Sequence, residues 1–256
     1  MMAADYYNWM FVFLRISAFL LVLPFFTMAN FPVTMRVAVG ALAALLLAPL
    51  LPPFQPGRLD FLSLVGVMFQ EVSVGLLFGF LSRLIFYTVE VGGTIIATEM
   101  GLNMAAVLDP VSGQQSQVPA SILSYLAAMV MLSLNLHHWM LLGFERTYAV
   151  LPVGAAHLNP ALLEMLVSRT GEIFRVALQI AAPVMAVSFV VTLVFALLGR
   201  AVPQMNVFGE SFAVRIAAGL IVFGFTLQIA AQYVQNYLDR LPEDMLVVAQ
   251  LLGGVR

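Results

Sequence analysis

Long apolar runs separated by short polar or proline-rich breaks organise this sequence. Trp9 to Met28 is apolar apart from Arg15, Ser17 and Thr27, and Pro24 predicts a kink or early end because it removes a backbone donor. Val33 to Leu51 is rich in Ala and Leu and is closed by Pro52, Pro53 and Pro56. These two runs predict a helical hairpin turning at Ala29 to Pro32, each close to the roughly 20 residues that cross a hydrocarbon core. Leu59 to Val89 is a longer helical segment carrying Glu71 and Arg83, and Gly75 and Gly79 have the spacing that lets another helix backbone approach closely. Close packing with no chemistry is the reading preferred for these glycines.

Val91 to Leu108 is less apolar, contains Glu99, and suits a helix inside an assembly better than an independent span. It leads into a polar stretch, Gly101 to Pro119, with Asp109, Ser112, three glutamines and two prolines. Polar irregular backbone survives at membrane depth only when it is buried in protein or lines a water-filled cavity. This loop is therefore the first candidate for function. Pro119 suits the first turn of a new helix, and Ala120 to Leu142 reads as the fourth strong apolar run.

A linker from Gly143 to Pro160 holds the turn residues Pro152, Gly154 and Asn159. Ala161 to Arg175 is amphipathic, with Arg169 and Glu172 at a pairing distance of three residues. Val176 to Leu198 carries no charge and is the clearest span, with Pro183 expected to bend it. Gly199 to Ser211 forms a second polar break, Phe212 to Val234 the last strong run, and the tail breaks at Pro242 before a short amphipathic helix.

Composition turns this pattern into a class. The chain has 256 residues, 62% apolar and 9% charged, with a mean hydropathy of +1.00. Soluble domains are about half apolar and about a quarter charged, so the expectation is an all-α integral membrane protein of about six apolar helices plus amphipathic helices. No segment is polar enough for a separate soluble domain. All eleven basic residues are arginine, and a net charge of −2 offers no basic face for nucleic acid. Cysteine is absent, excluding disulfides, thiolate metal sites and a cysteine nucleophile. The N-terminal MMAADYYNWM lacks the positive region and cleavage site of a signal peptide, so the first run is expected to be retained. The few arginines fall in loops on both sides and do not fix an orientation.

Candidate chemistry is sparse. Glu71, Arg83, Glu90 and Glu99 fall along consecutive helical segments in mostly apolar surroundings, where ionisable groups are costly. Structural ion pairing, within or between subunits, is preferred to a proton relay, which would need a carboxylate facing water. His137 and His138 are adjacent, so their side chains diverge by about 100 degrees and cannot chelate one metal as an i, i+4 pair does. They read as histidines hydrogen-bonded at a helix end beside Trp139, and no metal site or cofactor is expected. No P-loop, zinc-protease, nucleophile-elbow or dinucleotide motif is present, so an enzyme is not expected. Met100, Met104 and Met205 lie beside the two polar breaks, either as core packing or as a deformable seal.

The motifs together resemble the FliR family of flagellar export proteins, whose counterpart in virulence-type secretion is SctT. The resemblance rests on GGTIIATEMGLNMAAVLDP (Gly92 to Pro110), NLHHW (Asn135 to Trp139), LPVG (Leu151 to Gly154) and AAPVMAVSFVVTLVFALLGRAVPQMNVF (Ala181 to Phe208), in the family's order over nearly the whole chain. Within the last, Gly199, Arg200, Pro203, Gln204 and Phe208 form the family loop motif. The resemblance implies one subunit of a helically wound, hetero-oligomeric export gate in the bacterial inner membrane, at the base of the flagellum. Its P-like part would be 1–160 and its Q-like C-terminal hairpin and tail 161–256. Implied partners are P-like and Q-like gate subunits, FlhA- and FlhB-like membrane proteins, membrane lipid and the unfolded flagellar proteins that pass through. By the same resemblance Asp109, Pro110, Val111, Ser112 and Gly113 belong to a pore plug, which Gln114 and Gln115 would continue. The rival readings are an SctT-type secretion subunit, a small-solute transporter with its site at broken helices, and a haem-binding membrane anchor, which has little histidine support.

Overall fold

The computed structural model of the chain describes residues 2–23, 32–51, 60–103, 117–157, 159–202, 204 and 206–254. Among the described residues there is no strand, and the elements are helices throughout. They are α1 (Met2–Val22), α2 (Val33–Leu47) with a 3₁₀ turn at Ala48–Leu50, α3 (Phe61–Glu99), α4 (Val118–Ser133), α5 (Leu136–Val150), α6 (Pro160–Ala201) and α7 (Val207–Gly253). Among the described residues, four stretches are long and apolar enough to cross a membrane, and the bent pair α4 and α5 makes a fifth if it counts as one span. The protein is an all-α membrane protein, as its composition requires.

Helix boundaries depart from the sequence expectation in one direction, toward fewer and longer helices. The expected break between Leu59–Val89 and Val91–Leu108 is absent, because Gly92 and Gly93 lie inside α3. The amphipathic Ala161–Arg175 and the apolar Val176–Leu198 are one helix, which continues through Pro183. Pro242 does not break the tail either: α7 runs through it, and a Cβ added at Gly143 would lie 2.9 Å from the proline Cβ, so the ring is seated against α5. The linker shrinks to 151–159, since Gly143 to Val150 belongs to α5. With 39, 42 and 47 residues, α3, α6 and α7 extend about 58, 63 and 70 Å. A hydrocarbon core about 30 Å thick accounts for only half of each.

One expected run is broken instead. Ala120 to Leu142 divides into α4 and α5, bent by 72°, because Asn135 adopts φ 53°. Asparagine is among the few residues besides glycine that tolerate this left-handed conformation.

The chain divides into two compact units. The first comprises Met1–Leu84, Leu132–Arg169 and Tyr237–Arg256, and the second Ile85–Met131 and Thr170–Asn236. In the first, α1 and α2 form the expected antiparallel pair: Asn8 Nδ2 donates to the Ala48 carbonyl at 2.9 Å, and Gly40 lies against Ser17. Gly75 and Gly79 carry the predicted close approach, with α1 at Arg15 and Ala18 and at Phe19 and Val22 respectively. Phe19 stacks on Phe144 at 4.6 Å and Phe78 meets Phe144 edge-on at 5.9 Å, so α1, α3 and α5 share one aromatic core. The second unit closes around Gly93, whose missing side chain admits the Ala120 backbone of α4, and around Gly92, which faces Ala177 of α6.

Candidate functional site

In the first unit, Glu71 finds its partner outside its own helix. Arg15 on α1 and Glu71 on α3 are both fully buried. Arg15 Nε donates to Glu71 Oε2 at 2.5 Å and Nη2 to Oε1 at 2.9 Å, a bidentate pair in which the planar guanidinium matches the carboxylate. Arg15 Nη1 donates to the Leu151 carbonyl at 3.0 Å, and the Gly154 N–H donates to Glu71 Oε1 at 2.9 Å. The Tyr148 ring lies 4.2 Å from the guanidinium carbon, close enough for a cation–π contact. The LPVG turn is thus the backbone cap of a buried ion pair, with Gly154 at φ 76° turning its N–H inward. Gly75 stands one helical turn after Glu71 and takes the Arg15 carbonyl where a side chain would stand. Sequence reasoning singled out Glu71 without Arg15. The available signal was that Arg15 is the one charge in the first apolar run and so needed a counter-ion.

The second candidate is the loop, of which the structure describes the stems. The proposed plug residues Asp109, Pro110, Val111, Ser112, Gly113, Gln114 and Gln115 lie outside the described residues, as do Met104 and Met205. On the near side, α3 ends in a Schellman motif: Leu102 N–H donates to the Ala97 carbonyl and Gly101 N–H to the Thr98 carbonyl, both at 2.9 Å. Gly101 has φ 79°, which glycine adopts without strain. Its missing side chain leaves room for the Phe212 ring of α7, and Met100, fully buried, fills the notch at Gly219. On the far side, Ser121 N–H donates to the Gln117 carbonyl as α4 begins, and Ala120 packs on Gly93. Both stems of the 104–116 segment are therefore fixed on helices that touch.

Residues 6–241 match the family described as "Bacterial export proteins, family 1". The chain belongs to this family. Among its relatives, the flagellar biosynthetic protein FliR of Bacillus subtilis (strain 168) is 29% identical over 247 residues, spanning 94% of each chain. The protein of the same name from Pectobacterium carotovorum is 27% identical over 238 residues, covering 91% of this chain and 90% of its own. That from Escherichia coli (strain K12) is 26% identical over 223 residues, covering 87% and 85%.

In this export-family member the other candidate residues are dispersed. Arg83 is half-buried on α3, Glu90 is exposed and Glu99 half-buried, and among the described residues neither Glu90 nor Glu99 makes an ion pair. Gly199 lies against Val207 across the α6–α7 turn, Arg200 and Gln204 are exposed, and Pro203 and the Phe208 side chain lie outside the described residues. Asn206 caps α7, its Oδ1 accepting the Gly209 N–H at 3.2 Å. Arg169 donates to Asp244 at 2.5 Å and Arg175 to Glu172 at 3.2 Å. The His137 and His138 rings lie 4.1 Å apart, and among the described residues no cluster of three His, Asp or Glu is placed to hold a metal ion.

Proposed function

We propose that this chain is a non-enzymatic component of the bacterial flagellar protein export apparatus. It would form part of the inner-membrane pore through which unfolded flagellar proteins pass, in a complex with P-like and Q-like subunits and with FlhA- and FlhB-like membrane proteins nearby. The observation that carries this reading is the family match over residues 6–241, joined to relatives named as flagellar biosynthetic proteins that align along some nine-tenths of the chain. The all-helical, strongly apolar architecture supports a membrane seat. In this reading 1–160 is the P-like part and 161–256 the Q-like part.

Within that pore the 109–117 loop acts as a plug. The fixed stems support this: a Schellman-capped α3 and a freshly started α4 hold the segment from both sides, and its sequence is rich in Ser, Gly and Gln. An entering chain then has to displace only weak, short-range contacts. Deleting Val111 to Gln115 and measuring ion leak across the inner membrane together with export tests the plug. Raised leak is expected; unchanged leak with unchanged export refutes it.

A further inference from the structure

Over the part of α3 that lies in the second unit, residues 85–99, exposure sorts by chemistry. Glu90, Thr94 and Thr98 are exposed and no other residue of that stretch is, while Val89, Ile96 and Ala97 are fully buried. At spacings of four they form one stripe on one helix face. Thr94 Oγ1 donates to the Glu90 carbonyl and Thr98 Oγ1 to the Thr94 carbonyl, both at 2.9 Å, and Asn103 Nδ2 donates to Thr98 Oγ1 at 3.2 Å. The stripe therefore runs from mid-helix to the last described residue before the loop.

Over residues 186–198 of α6 and 213–225 of α7, in the same unit, the exposed surface is of the opposite kind. Phe189, Val190 and Leu193 on α6 and Leu220, Ile221 and Phe225 on α7 are all exposed. Thr192, the polar exception on that part of α6, donates to the Ser188 carbonyl and accepts from Arg215. Two faces so different do not share one solvent. Threonines alone would not decide the matter, because a hydroxyl bonded back to the preceding turn is tolerated in apolar surroundings. Glu90 decides it: its side chain is exposed and among the described residues makes no ion pair, and an unpaired carboxylate is costly unless it faces water.

We propose that Glu90, Thr94, Thr98 and Asn103 line the water-filled path taken by the transported polypeptide, on the approach to the 104–116 loop. The proposal rests on the export-pore reading above and assigns it a wall. An extended chain presents a peptide N–H and C=O at every residue. The threonine hydroxyls spend their protons on helix carbonyls and keep lone pairs for passing N–H groups. Such a wall keeps the path wetted and takes any sequence, as a conduit for unfolded chains must.

The chain has no cysteine, so single introduced cysteines report without background. Thr94→Cys, Thr98→Cys and, on the apolar face, Leu193→Cys are placed in the full chain, assembled in membranes, and treated with a charged, membrane-impermeant thiol reagent. The reaction is run with and without an exported protein stalled in passage by a folded C-terminal fusion. Because the thiolate is the reactive form and requires water, Thr94→Cys and Thr98→Cys are expected to label about tenfold or more faster than Leu193→Cys, and the stalled protein to protect them. Labelling that the stalled protein does not slow overturns the proposal, since the stripe then meets bulk solvent only. No labelling in a complex that still exports also overturns it, since a neighbouring subunit then covers the stripe. A deletion of Val111 to Gln115 that causes no leak removes the plug without altering these labelling rates, so the two failures are distinguishable.

Discussion

Replacing Arg15 by alanine is expected to be among the most damaging single changes in the first unit. Both members of the Arg15–Glu71 pair are fully buried, and removing the arginine leaves the carboxylate with the Gly154 N–H while the Leu151 carbonyl loses its donor. Breaking a buried pair by deleting one partner costs about 3–5 kcal/mol, and an orphaned buried acceptor about 1–3 kcal/mol. These overlap, so the loss is on the order of 5 kcal/mol, comparable with the whole stability of many domains at about 5–15 kcal/mol. At about 2–4 °C per kcal/mol for a chain of this size, the midpoint should fall by about 10–20 °C. The assay is the fraction of purified protein in detergent that stays monodisperse after heating. The double replacement Arg15→Met with Glu71→Leu removes both charges at once. Apolar replacement of a buried pair gains about 1–4 kcal/mol, which offsets about 1–3 kcal/mol for each of the two backbone groups left unpaired. The double variant should therefore lie near the parent and well above Arg15→Ala. An Arg15→Ala midpoint within about 2 °C of the parent, or a double variant worse than either single, would refute the reasoning.

Three further substitutions probe helix approach and the loop stem. Gly75→Val drives a side chain into the Arg15 carbonyl and to 2.8 Å from the Ala18 Cβ, so α1 must retreat and the same melt should show a loss of about 1–3 kcal/mol. Gly66→Ala, where an added Cβ meets nothing within 4 Å, is the matched control and should gain up to about 1 kcal/mol of helix propensity. Gly101→Ala places a side chain at φ 79° and 2.7 Å from the Phe212 ring, costing about 1–2 kcal/mol for the backbone alone. Because the damage falls on the loop stem, it should raise ion leak at unchanged protein level, whereas leak equal to the parent would show that the stem does not set the loop.

What the sequence made legible follows local rules. Composition and run length were enough for an all-helical membrane protein and the Gly75 and Gly79 spacing for a close helix approach, because these depend on neighbours a few residues away, whereas the helix expected to continue to Leu108 ends at Glu99, where Gly101 turns the backbone to φ 79°. The Arg15–Glu71 pair joins residues far apart in sequence, and only tertiary packing brings Leu151 and Gly154 to cap it. Pro242 misled for the same reason: in an isolated helix a proline removes a hydrogen bond and clashes with the preceding turn, yet here it is held by Gly143 of another helix. Conversely Asn135 breaks an apolar run that hydropathy alone joins, since its left-handed backbone leaves no mark on apolarity.

Affinity purification of the tagged full chain from its own membranes in mild detergent tests membership of an export gate most directly. Recovery in a single stable complex with P-like and Q-like subunits is predicted. Recovery of the folded chain alone, from cells that assemble flagella and contain those subunits in the same membrane extract, would contradict it.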